Sequence, residues 1–141
     1  MPDLMSEVRR FRPVAVAIVM WMSTAVLVVM MIVVGNAIPE DYRFSVPQAL
    51  TLWSFIGVIA LLALAVTWST VRADAEGLTV VNGFRRHRFG WSQIAAISMR
   101  DGAPWPTLVT RDDRRVILFA IQGSDGDSAR EAVRWLQEQI S

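Results

Sequence analysis

Arg85-Arg86-His87-Arg88 gathers three guanidinium groups and the only His of the chain within four residues. Such a set can be drawn to an anionic surface and set the orientation of an anchored domain on it. It follows Arg72 closely enough for a hairpin arm to bring it back to the same level, so Arg72, Arg85, Arg86 and Arg88 are the candidate contacts to anionic lipid headgroups. A basic residue beside an anionic surface contributes about 1 kcal/mol. The alternative use of the same residues is a solvated, charged turn. Nucleophilic or two-His metal chemistry would have to be built around His87 alone, beside arginines that repel a cation. Asp112 and Asp113 lie in the charged run Arg111–Arg114, where both are solvated and no apolar pocket prepares either as a general acid.

Asp125-Gly126-Asp127 resembles the start of a calcium loop, but the twelfth position would fall on Leu136 where a Glu is required. With no Cys, the chain has no disulfide, thiolate zinc site, iron–sulfur cluster or thiol nucleophile. The expectation is therefore no catalytic residue, no metal, no cofactor and no enzymatic reaction. After Val71 ten Arg face nine acidic residues, too even a balance for electrostatic nucleic-acid binding. Trp105, between Pro104 and Pro106, is the candidate protein contact, because a rigid exposed aromatic suits an interface anchor. Packing over a sheet edge is its other use.

The elements that must position these residues divide the chain in two. Val14 to Val34 and Ala49 to Val71 are uncharged apolar stretches, and a helix needs about 20 residues to cross a hydrocarbon core. They predict a membrane anchor over residues 1–71, a helical hairpin with transmembrane helices at about 14–34 and 49–71 and an external connection at 36–47. Arg9, Arg10 and Arg12 precede the first stretch and Arg72 ends the second, whereas the connection holds Arg43 beside Glu40 and Asp41. Basic flanks stay inside, which places both termini in the cytoplasm and the chain in the cell membrane as a multi-pass protein. No ionisable residue lies within either stretch, so an ion path or proton relay is not expected.

Residues 72–141 read as short strands followed by a helix. Val71–Ala75, Leu78–Asn82, Arg86–Phe89, Ile94–Met99, Leu108–Thr110 and Val116–Ile121 carry β-forming residues between Gly- and Asp-containing turns. Ser128 with Glu131 makes a capping-box pattern, and Ala129, Val133, Leu136 and Ile140 then recur at helical spacing. These patterns predict a small α+β domain, a partly open barrel or sandwich with the helix laid on one end.

Val71-Arg72-Ala73-Asp74-Ala75-Glu76-Gly77-Leu78-Thr79-Val80, Gly90-Trp91-Ser92-Gln93-Ile94 with Ile97, and Asp127 to Ile140 carry a resemblance. Over residues 70–141 the chain resembles the bacterial pleckstrin-homology-like (PH-like) domain, in the actinobacterial membrane-protein branch named after low molecular weight protein antigen 6. The resemblance implies a partly open β-barrel closed by the C-terminal helix, in a family without an established reaction. The basic phosphoinositide pocket of eukaryotic relatives is missing, since Glu76-Gly77 stands at the corresponding turn. The expected function is a non-enzymatic, membrane-anchored adaptor or accessory subunit, with membrane lipids and another membrane or cytoplasmic protein as partners. Anionic headgroup sensing through Arg85–Arg88 is the alternative. Oligomeric state is not legible in these residues.

Overall fold

The structure, a computed structural model, describes residues 8–140; the chain termini, assigned to the cytoplasm above, lie outside the described residues. Two compact units are present: Ala15–Leu64 forms one, and the segment up to Val14 joins Ala65 and all that follows in the other.

The first unit is built from α1 (Val14–Ala37) and α2 (Val46–Trp68), joined through a 3-10 turn at Glu40–Tyr42. Both helices are long and apolar enough to cross a membrane, and few of their apolar side chains are buried, unlike those of a core helix in a soluble protein. The helix limits differ from the apolar runs. The first helix continues one turn past Val34, through Gly35-Asn36-Ala37. The second begins three residues before Ala49, because Ser45 and Gln48 form a reciprocal capping box: the Gln48 amide donates to Ser45 Oγ and the Ser45 amide to Gln48 Oε1. It ends at Trp68 instead of Val71, since Thr70 and Val71, both β-branched, enter a strand.

The second unit has two antiparallel sheets. Strands β1 (Arg9–Phe11), β2 (Thr70–Ala73), β3 (Gly77–Asn82) and β4 (Arg85–Gly90) follow one another in the first, and β5 (Ile94–Ser98), β6 (Thr107–Thr110) and β7 (Arg115–Ile117) in the second. Strand β1, placed before the first apolar stretch, has no counterpart among the sequence-based expectations. It pairs with β2 in the register Arg9–Ala73, Arg10–Arg72 and Phe11–Val71. The two sheets and α3 (Asp127–Ile140) enclose one core, in which Val71, Leu78, Val80 and Phe89 meet Ile94, Leu108, Val116, Leu118, Ala129, Val133 and Leu136.

The last expected strand, Val116–Ile121, stops at Ile117. Leu118 to Ile121 instead forms a buried turn, because the Phe119 amide is drawn to Asn82 Oδ1 and the Phe119 carbonyl accepts from Gln122. Ser128 lies in the first turn of α3 and does not cap it. The helix begins at Asp127 after Gly126, whose φ of 60° is open to Gly, and the Arg130 amide closes the first turn on the Gly126 carbonyl.

Candidate functional site: a basic sheet face and an aromatic turn

Side chains alternate across a strand, so β4 divides the arginine cluster between two faces. Arg86 and Arg88 stand opposite Val81 and Thr79 on the outer face, while Arg85 and His87 share the other face with Phe89, opposite Asn82, Val80 and Leu78. His87 is half-buried and stacks on Phe89 with ring centroids 6.1 Å apart. The pairing continues outward from Arg88 through Thr79 to Arg72 and then to Arg10. Four arginines, Arg10, Arg72, Arg86 and Arg88, therefore share one sheet face. Arg72 and Arg10 are directly opposed like charges, both exposed, with no ion pair among the described residues.

Arg88 is engaged differently. Its Nη1 donates to Asp74 Oδ2 at 3.1 Å and to Thr79 Oγ1 at 2.6 Å, its Nη2 donates to Asp74 Oδ1 at 3.2 Å, and Glu76 lies 3.7 Å away. Asp74 Oδ1 also accepts from the Glu76 and Gly77 amides. The Arg88 hydrogen bond, aided by these amides and opposed by partial burial, holds the Asp74 carboxyl below its ordinary value, and Asp74 in turn raises Arg88. This group is a clasp between the β2–β3 turn and β4, completed by Trp91, whose Nε1 donates to the Asp74 carbonyl at 2.8 Å. The charge left for a ligand on this face resides on Arg10, Arg72 and Arg86.

The cluster is placed by the two-residue turn Gly83-Phe84 between β3 and β4. Gly83 has φ +64°, and its amide donates to Ser69 Oγ at 2.9 Å, which itself donates to the Ala65 carbonyl at 2.9 Å. A Cβ on Gly83 would stand 3.3 Å from the Ala65 Cβ. The turn is thus seated on the last turn of α2. There Phe84, 65% exposed, meets Trp68, 52% exposed, edge to face at 5.4 Å between centroids. Two exposed aromatics thus meet at the end of an apolar helix, with Arg85 and Arg86 next in the chain.

Trp68 is marked in the sequence by its place at the end of an apolar run, but Phe84 has no such mark. The signal for it is Asn82-Gly83-Phe84, a turn whose tip must project. Arg10 is likewise missed as a member of the sheet face.

Beside this face, Phe11, Val14, Ala120, Ile121, Ala129 and Ala132 line a groove of about 410 Å³ edged by Arg10 and Arg12, with Asp125 and Ser128 on its far side. Phe11 also packs on Trp135 at 6.1 Å, and the Arg9 guanidinium lies 4.6 Å over the Trp135 ring.

Trp105 is half-buried, packed on Phe119 in a tilted arrangement at 5.1 Å between centroids, and bonded through Nε1 to Gln122 Oε1 at 3.2 Å. Asp112 accepts a hydrogen bond from the Thr110 hydroxyl, which lowers its pKa and serves the β6–β7 turn, where Asp113 takes φ 64°. Among the described residues no group of three or more His, Asp or Glu side chains comes together to hold a metal.

The family model for the bacterial PH domain matches residues 68–139. No curated protein and no solved structure matches the chain. The matched span contains β2 through β7 and most of α3, the two-sheet and terminal-helix arrangement described above. The chain belongs to the bacterial PH domain family.

Proposed function

We propose that this chain is a non-enzymatic, membrane-anchored module whose PH domain rests on the anionic inner surface of the cell membrane. The carrying observation is the Phe84–Trp68 pair at the end of α2, with Arg85 and Arg86 beside it. Phe84 and Trp68 reach headgroup depth, Arg85 and Arg86 meet lipid phosphates, and Arg10 and Arg72 extend the positive field along the sheet. The groove edged by Arg10 and Arg12 supports the same reading, since its apolar floor continues to Val14 at the start of α1. The pairing of β1 with β2 supports a hairpin with both ends on one side, because the two strands flank α1 and α2 in sequence. A helical hairpin followed by a PH domain also supports placement in the antigen-6 branch.

A nitroxide at residue 84 tests the lipid contact, and the absence of native Cys makes the label unique. In lipid nanodiscs containing an anionic lipid, Phe84→Cys should report headgroup depth. Arg85→Gln with Arg86→Gln should then remove about 1 kcal/mol of anionic-lipid preference per arginine. A label at aqueous depth in neutral and anionic discs alike rejects the reading.

A protein-adaptor role is favoured by one separate observation, the half-exposed Trp105, which packs on Phe119 from a loop stiffened by Pro104 and Pro106. Cross-linked purification of the full chain should recover a partner that Trp105→Ala loses while the thermal transition persists. A partner retained by Trp105→Ala places recognition elsewhere.

A further inference from the structure

A second basic region lies apart from the β3–β4 turn and from the sheet face. The loop between β5 and β6, the turn before α3 and one side of α3 enclose a groove of about 640 Å³. Its rim carries Arg100 from the loop and Arg130 and Arg134 from the helix, against a single acid, Asp101. Arg130 and Arg134 stand four residues apart, a spacing at which like charges on a helix destabilise each other. Arg130 has only an exposed Asp127 at 4.0 Å, and Arg100 and Arg134 have no ion pair among the described residues. Below the rim, Met99, Ala103 and buried Val133 supply an apolar floor.

The walls are fixed before any ligand arrives. The Gly123 amide donates to the Pro104 carbonyl at 2.7 Å, and Gln137 Nε2 donates to the Ile97 carbonyl at 2.7 Å, so the loop is tied to the turn and the helix to strand β5. Gly123 permits the first contact, since a Cβ there would stand 2.3 Å from the Ala103 carbonyl oxygen. A groove of this volume lies within the range of small-molecule sites. Guanidinium groups match the oxygens of a phosphate in geometry and charge.

We propose that this groove binds a small phosphate ester. Arg100, Arg130 and Arg134 hold the phosphate from opposite walls, and the organic group lies on Met99 and Val133. The ester is either a soluble metabolite or the headgroup of a phosphomonoester lipid.

Phenyl phosphate combines the two required features, and phenol is its uncharged counterpart. Titrated calorimetrically into the full chain in nanodiscs of phosphatidylcholine, phenyl phosphate should bind saturably and phenol should not. The Arg130→Gln, Arg134→Gln double variant should weaken binding at least tenfold, and Arg100→Gln should weaken it from the opposite wall. Arg115→Gln on β7 should bind like the wild type, which separates this site from general attraction to exposed arginines. Phosphatidic acid in the disc identifies a lipid source if it displaces phenyl phosphate, and a soluble source if it does not. Absence of saturable binding, equal binding of phenol, or an unchanged affinity in the double variant overturns the proposal.

Discussion

Asp74 shows how one carboxylate can order several segments at once. It accepts from the Glu76 and Gly77 amides and from Arg88, while its carbonyl takes the Trp91 indole N–H. Because the folded state lowers its pKa below the ordinary 3.8, the unfolded chain takes up the proton first as pH falls. The stabilisation is complete above the ordinary carboxylate range and disappears as pH drops through the lowered value. Thermal melts of the full chain should therefore lose stability below about pH 4, and Asp74→Asn should lack that part of the acid dependence. Asn82 makes a comparable bridge between sheets, donating to the Ile117 carbonyl at 2.6 Å and accepting from the Phe119 amide at 3.2 Å. Asn82→Ala leaves both backbone groups without that partner and should cost about 1–3 kcal/mol by chemical denaturation. The Glu76-Gly77 turn was legible because its chemistry is local. The Asn82 bridge was not, because its partners lie 35 and 37 residues away.

Strand β1 is the element in which local interactions conflict. Phe11 packs against the core and Arg9 covers Trp135, whereas Arg10 faces Arg72 directly. Opposed like charges weaken a cross-strand pair and opposite charges support one, by about 0.2–1 kcal/mol. Arg10→Glu should thus slow hydrogen exchange at the Val71 and Ala73 amides relative to the wild type, and the same substitution should reduce attraction to anionic discs. Strands β2 to β6 and α3 were legible because each carries its own alternation, turn chemistry or helical stripe. A three-residue strand carries no periodicity, and Arg9, Arg10 and Arg12 already suited the flank of an apolar helix. The capping box at Ser45 and Gln48 is a local signal, but it lies ahead of the hydrophobic run and polarity alone assigns it to the loop. Arg85 and Arg86 were legible as part of a charged cluster. Their neighbour Phe84 was not, because its contact with Trp68 depends on Gly83 approaching Ala65 closely.

At the scale of the molecule, α1 and α2 are long and apolar enough to cross a membrane and expose apolar surface, whereas the PH domain encloses its own core. The proposed arrangement predicts opposite reagent access for two single-Cys variants in intact cells. Asp41→Cys, in the turn between the helices, should react with an impermeant maleimide, and Asp101→Cys should react only after permeabilisation. Equal access to both would reject the hairpin orientation. If the hairpin has the proposed orientation, strand β1 also bears on biogenesis. Arg9–Phe11 leaves the ribosome before α1, yet its partner Val71–Ala73 is made only after α2. The first sheet therefore cannot gain its fourth strand until the intervening helices have been synthesised. A nascent chain with α1 inserted the wrong way round would strand Arg9–Phe11 across the bilayer from β2, leaving the β2 edge open. Relative to the proposed orientation, such a molecule would carry its insertion error as an incomplete sheet with an unpaired edge.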